Sequence, residues 1–312
     1  MSLLERITTF IVSQIICIPF FKLPFQDLKH PKRAYDMKDT VNLNIGIENE
    51  TIGAWFVCPL ASSVASNKSI DEQYVEEERR EVIVGENETA ILYLHGNAAT
   101  RSQYHRRALY QMFQKMGHYV LAIDYRGYGD SSWISPSQTS MVHDAQTALE
   151  WLTQRSHPNA NIFVWGHSLG TGVASKLCNV LSRDSAVSGY ILEAPFNRMF
   201  DEVKSFKLSR ILPFLGLDIE RILQMADMKF DSTENLQNCR KNILILHAED
   251  DSVIPFELAQ KLYSDIKGSG VPATFVPFNK TERLGHDNIF KSKELESIVD
   301  NFFIDCTSEK KK

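Results

Sequence analysis

The stretch Asn161-Ile162-Phe163-Val164-Trp165-Gly166-His167-Ser168-Leu169-Gly170-Thr171-Gly172 constrains this chain more than any other. Its apolar run reads as a short buried strand, a tight turn follows, and a helix pattern begins at Thr171. Gly166-His167-Ser168-Leu169-Gly170 fits G-x-S-x-G, a strand-to-helix turn that lifts a serine hydroxyl above a sheet edge. Glycine is needed at 166 and 170 because side chains there would meet the neighbouring strand and helix. The same turn aims the first amides of the new helix at any anion that forms beside Ser168.

The rest of the chain supplies a sheet for that turn. Val41–Ile47 and Thr51–Val57 alternate and read as two antiparallel strands with a turn near Glu48-Asn49-Glu50. Residues 59–80 turn polar and charged and read as a surface excursion. Ala90–Leu94 is a buried strand running into His95-Gly96, and residues 101–116 follow as a loosely patterned helix. Tyr119–Ile123 is a strand that leads into the glycine-punctuated loop Asp124–Ser131. A helix over 139–155, the elbow strand, its helix to about Arg183 and a strand at Gly189–Leu192 come next. Strands then return at Asn242–His247 and Ala273–Phe278, with helices at Phe256–Lys267 and Phe290–Phe303. Strands alternating with helices imply an α/β fold: a mostly parallel, eight-stranded sheet with helices on both faces.

Two stretches break the alternation. Residues 196–238 hold many Leu, Ile and Phe at helical spacing with no strand. They read as a helical cap inserted above the sheet, or as a helix pair packed on the core. Residues 7–25 are apolar but interrupted by Pro19, Lys22 and Pro24, too short and broken for a span of about 20 residues. No small-x-small cleavage site follows them. A membrane-surface segment and a packed N-terminal arm are the two readings. The division expected is an arm at 1–40, a catalytic domain at 41–305 with its cap at 196–238, and a polar tail at 306–312.

Composition narrows the class of partner. With 312 residues and 43% hydrophobic content there is material for one large core. A formal charge of -5 gives no basic surface for nucleic acid. Five scattered cysteines without a CxxC pair suggest neither zinc nor a disulfide framework, and Cys178 reads as a small core residue. Nothing in the sequence calls for a metal or an organic cofactor.

A serine hydroxyl needs a base, and the base an orienting acid. With an elbow the partners follow in the order serine, acid, histidine. His286 alone among nine histidines lies beyond the last candidate acid, in Leu284-Gly285-His286-Asp287 after the final strand. Glu249, Asp250 and Asp251 follow the strand at Asn242–His247, and Asp251 is favoured over Asp250 by its position four residues before Pro255. The histidines His95, His167 and His247 read as structural. A tetrahedral oxyanion needs preorganised donors. The backbone N–H groups of Leu169 and Asn97 are the candidates, Asn97 being preferred to Ala98.

These residues resemble the α/β-hydrolase superfamily. More closely they resemble the α/β-hydrolase-domain-containing lysophosphatidylserine and monoacylglycerol lipases, the group of the twelfth member of that series and its B paralogue. The resemblance rests on Leu92–Ala98, Asp124–Ser131, Trp165–Ala174, Leu246–Asp251 and Val276-Pro277-Phe278, and it runs from about Leu28 to Phe303. It implies an α/β-hydrolase fold with an inserted helical cap, and a serine hydrolase acting on single-chain glycerolipids at a membrane surface. It carries the nucleophile to Ser168, the acid to Asp251 and the base to His286. The segment Leu284-Gly285-His286 is contracted relative to the family pattern. Family members can carry an N-terminal membrane anchor that places the hydrolase domain in the endoplasmic reticulum lumen, and this chain begins after where that anchor would stand. Sequons at Asn49, Asn67, Asn87 and Asn279 would be acceptors in a lumen, while a cytoplasmic location stays open. The same site would cleave the thioester of an acylated protein cysteine, and a catalytically silent binding fold is the third alternative.

Overall fold

Eight strands form one sheet in the computed structural model, which describes residues 26–60, 83–181, 185–205 and 218–308. They are β1 (Thr40–Ile47), β2 (Glu50–Val57), β3 (Thr89–Leu94), β4 (Tyr119–Ile123), β5 (Asn161–His167), β6 (Val187–Glu193), β7 (Asn242–Ala248) and β8 (Ala273–Phe278). Their spatial order is β1-β2-β4-β3-β5-β6-β7-β8. Only β2 runs against its neighbours β1 and β4; every other pairing is parallel.

The described helices are α1 (Pro31–Tyr35), α2 (Tyr104–Lys115), α3 (Gln138–Gln154), α4 (Leu169–Val180), α5 (Met199–Ser205), α6 (Ile219–Met225), α7 (Ser232–Leu236), α8 (Phe256–Gly268) and α9 (Leu295–Ser308). Side chains alternate across each strand, so one strand feeds two cores. Leu92 and Leu94 of β3 face a cluster with Met141 and Leu149 of α3, Val173 and Leu177 of α4, and Leu262 of α8. Ile91 and Tyr93 face the opposite cluster, with Leu109 and Phe113 of α2 and Val299 and Phe303 of α9. All six residues of β3 and all seven of β6 are buried, as strands covered on both faces must be. This is the α/β-hydrolase fold, with the helices α5, α6 and α7 inserted between β6 and β7.

Local chemistry sets the ends of these elements. Helix α2 stops because Gly117 takes a left-handed conformation (φ 83), which lets His118 N–H reach the Phe113 carbonyl. Helix α3 starts on a reciprocal cap between Ser137 and Ser140. Helix α4 begins at Leu169, two residues earlier than its periodicity suggests, because the turn at Ser168 feeds straight into it. The closing helix begins at Leu295 and not at Phe290. Residues Ile289–Lys291 form a separate 3-10 turn, and Ser292 behind them is extended and accepts the Glu294 N–H on its hydroxyl.

Several sequence expectations fall outside the described residues. They include the apolar stretch 7–25, most of the polar excursion at 59–80, the sequon at Asn67, and residues 206–217 of the cap stretch. The described cysteines are free, and Cys178 packs against the core. Cys178 of α4 is only partly buried, and its Sγ lies 2.6 Å from that of Cys239. Spacing could not pair them, because the contact is made by folding α7 back onto α4.

Candidate active site

The elbow stands at the centre of the sheet, where β5 hands over to α4. Ser168 takes φ 54 and ψ -121, a conformation that L residues rarely adopt. The glycines permit it. A Cβ on Gly166 would stand 2.4 Å from the Gly170 carbonyl oxygen, and one on Gly170 would stand 2.1 Å from that of Leu94. Ser168 N–H donates to the Glu193 carbonyl of β6 at 2.9 Å, which ties the turn to the next strand.

Three loops on the same sheet edge bring the expected side chains together. His286 Nε2 is 2.9 Å from Ser168 Oγ, and His286 Nδ1 is 2.7 Å from Asp251 Oδ2. A carboxylate can only accept, so Nδ1 carries the proton and Nε2 is left to accept from the serine hydroxyl. The turn after β7 fixes Asp251, whose Oδ1 accepts the N–H groups of Val253 (2.8 Å) and Ile254 (3.0 Å). Burial would raise the pKa of Asp251. Hydrogen bonds from His247 and His286 outweigh it and hold the carboxyl below its ordinary range. Burial likewise works against a charged His286, but the Asp251 carboxylate overrides it and raises the imidazole's pKa, with Asp287 and Glu193 adding to the effect. Asp250 does not face His286. Its Oδ1 accepts the Gly285 N–H at 3.0 Å and so anchors the loop that carries the histidine.

The loop after β3 passes beside the nucleophile: a Cβ on Gly96 would meet the Ser168 Cβ at 3.0 Å. Asn97 follows Gly96 in this loop, and Leu169 opens α4 directly after the serine. The loop is held from below by a buried ion network. Arg101 donates to Asp124 and Asp130 and to the Asn42 side chain, and its own N–H donates to Asp124 Oδ1. Tyr125 Oη donates to the His95 carbonyl. The motif Asp124–Ser131 is therefore the footing of the 95–101 loop. Arg101→Leu leaves Asp124 buried without its cation, and removing one partner of a buried pair costs about 3–5 kcal/mol. Denaturant unfolding of the variant should show a loss of that size. A loss below about 1 kcal/mol, as for an exposed pair, would contradict the role given to this network.

Four further residues surround the triad; the sequence reading takes His167 and His247 as structural and does not single out Glu193 or Glu202. His247 Nε2 lies 3.1 Å from the Ile254 carbonyl and 3.3 Å from Asp251 Oδ2. Both are acceptors, so Nε2 bears the proton and the ring braces the acid. Its position at the end of β7, four residues before Asp251, was the available signal. His167 Nε2 lies 3.2 Å from the His286 carbonyl, which links the elbow to the histidine loop. Glu193 is fully buried, accepts from Trp165 Nε1 at 2.8 Å, and is pushed up to about 7 by burial. Burial also pushes Glu202 of α5 up to about 7, and its Oε2 is buried without a hydrogen-bond partner.

Residues 85–217 match the family described as serine aminopeptidase S33. The lysophosphatidylserine lipase ABHD12 of Danio rerio is 36% identical over 302 residues, covering 94% of this chain and 77% of that protein. Protein ABHD12B of Homo sapiens is 33% identical over 268 residues, covering 84% and 71%. Among solved structures, an alpha-beta hydrolase from Vibrio vulnificus superposes with a TM-score of 0.69 at 18% identity, covering 96% of this chain and 94% of that one. This last likeness is one of fold.

Proposed function

Because this chain belongs to the ABHD12-type lipase family of α/β-hydrolases, we propose that Ser168, His286 and Asp251 cleave the acyl ester of single-chain glycerolipids such as lysophosphatidylserine, other lysophospholipids or monoacylglycerol. One observation carries the reading: an unbroken hydrogen-bonded chain from Ser168 Oγ through His286 to Asp251.

The steps follow from that chain. Ser168 Oγ attacks the acyl carbonyl carbon and His286 Nε2 takes the hydroxyl proton. Asp251 remains ionised and stabilises the imidazolium. The N–H groups of Asn97 and Leu169 donate to the oxyanion. Collapse of the intermediate breaks the ester C–O bond, and His286 returns its proton to the departing glycerol oxygen. Water, deprotonated by His286, then attacks the acyl-enzyme and releases the fatty acid. None of these steps calls on a metal or an organic cofactor.

A panel of single-chain glycerolipids, with an acylated-cysteine protein as one arm, tests the substrate class. Free fatty acid should appear with the wild type on the lipid esters and be absent with Ser168→Ala. Cleavage of the thioester alone would overturn the lipid reading.

The base must be neutral in the free enzyme to accept a proton. A raised His286 pKa keeps the imidazole protonated, and therefore idle, to higher pH. The acidic limb of kcat/KM should thus have its midpoint above the ordinary 6.5. Asp287→Asn removes one negative neighbour and should move the limb to lower pH. A midpoint below 6.5 in the wild type would contradict this electrostatic account.

The reading also places the enzyme at a membrane surface, in the endoplasmic reticulum. The lipid substrate class and the apolar content of residues 7–25 support this. Among the described residues no helix is long and apolar enough to cross a membrane. The arm 1–40 would serve the interface, the domain 41–305 the chemistry, and the insertion 196–238 the acyl chain. Equal co-sedimentation with phospholipid vesicles with and without residues 1–25 would argue against the arm's role.

A further inference from the structure

Beside the triad stands a second cluster whose side chains make and break no bond in the ester chemistry. His105 of α2, His167 at the end of β5 and Asp287 in the loop after β8 converge from three separate elements. His105 Nε2 and His167 Nε2 each lie 3.7 Å from Asp287 Oδ1, and one donor atom from each residue falls within 4.8 Å of the others. Four-coordinate zinc with bonds of 2.0–2.1 Å needs ligand atoms about 3.3 Å apart. The two histidine-to-carboxylate distances are within a few tenths of an ångström of that spacing, whereas the two imidazole nitrogens stand only within 4.8 Å of each other and would close onto the metal. His105 Nε2 is buried and has no hydrogen-bond partner. His167 is 2% exposed and its Nδ1 also has none, so the ring can move its proton to Nδ1 and free Nε2. The His286 carbonyl beside His167 Nε2 is a further oxygen donor.

We propose that His105, His167 and Asp287 form a site for a divalent transition metal of the zinc class, and that its occupation inhibits the hydrolase. Two imidazoles and one carboxylate suit zinc and its neighbours better than calcium or magnesium, which prefer oxygen alone. The nearby Arg106 guanidinium opposes a cation, but it is turned onto the carbonyls of Thr100 and Ala98. Inhibition follows from charge. The His167 and His286 ring centroids are 5.1 Å apart, so a dication on His167 faces the imidazolium that every step needs.

Two readouts test the site. Cobalt(II) titrated into Ser168→Ala should produce visible ligand-field absorption at one equivalent, displaced by zinc and missing when His105→Gln or Asp287→Asn is added. Asp287 is half exposed, so its variant stays folded whatever happens at His105. Micromolar zinc should inhibit the wild type, reversibly with a chelator. His105→Gln should retain basal turnover and need at least about 10-fold more zinc. The inhibition arm rests on the proposed esterase activity, whereas the absorption arm does not, so the two readings can fail separately. Absence of cobalt absorption, or equal zinc sensitivity of wild type and His105→Gln, would overturn the proposal.

Discussion

Ser168→Ala will abolish covalent labelling by a fluorophosphonate and lower ester turnover by on the order of 10⁶-fold, while the protein stays folded. The size of the loss comes from removing the atom that forms the acyl-enzyme. No other hydroxyl is held at 2.9 Å from His286 Nε2 among the described residues. What remains is binding and the oxyanion donors, worth about 10³–10⁴ over water in serine hydrolases. The fold should survive because the strain at the elbow belongs to the backbone, not to the hydroxyl. Alanine keeps the Cβ that serine already carries at φ 54, and the glycines at 166 and 170 still make room for the turn. The bond from the 168 N–H to the Glu193 carbonyl also persists. Thermal unfolding close to that of the wild type, together with absent labelling, is the expected pair of results. Labelling of the alanine variant at the wild-type rate would move the nucleophile elsewhere.

The elbow and the order of its partners were legible in the sequence because they are local. A glycine pattern at a strand-to-helix junction is written within five residues, and the position of His286 after the last strand needs only counting. The strands were legible for the same reason, since a parallel sheet buried on both faces requires unbroken apolar runs. What could not be read is what the fold brings together from afar. Arg101 meets Asp124 and Asp130 because β3 and β4 are neighbours in the sheet, and nothing in the glycine-punctuated loop names its cation. His105, His167 and Asp287 come from α2, β5 and the last loop, at spacings that match no metal motif. The same holds for Cys178 and Cys239. The helix at Phe290 was misread because its apolar periodicity continues through a turn that Ser292 interrupts with an extended backbone. Periodicity records which face is buried, and it is blind to a break that leaves the faces unchanged.

Asp251→Asn will cost about 10⁴ in turnover, as loss of a triad carboxylate does elsewhere, whereas Asp250→Asn will cost far less. The two residues are adjacent, and the difference lies in which proton each carboxylate controls. Asp251 Oδ2 holds the Nδ1 proton of His286 at 2.7 Å. An asparagine there can turn its amide toward Nδ1, which forces the imidazole proton onto Nε2 and points a donor at the serine hydroxyl. The variant would also lose the charge that stabilises the imidazolium. His247 Nε2–H faces the same oxygen at 3.3 Å and the Val253 and Ile254 N–H groups face the other, so an asparagine amide meets a donor in either orientation. Asp250, by contrast, accepts only the Gly285 N–H at 3.0 Å, and an asparagine oxygen can accept the same bond. Its loss should appear as a looser histidine loop, with a modest fall in kcat. Steady-state turnover of both variants on one short-chain ester separates the roles, and a larger loss at 250 than at 251 would transfer the acid to Asp250. The pH profile offers a second check. An Asp251→Asn enzyme loses the main negative partner that keeps His286 charged, so the acidic limb of its residual activity should move to lower pH than in the wild type.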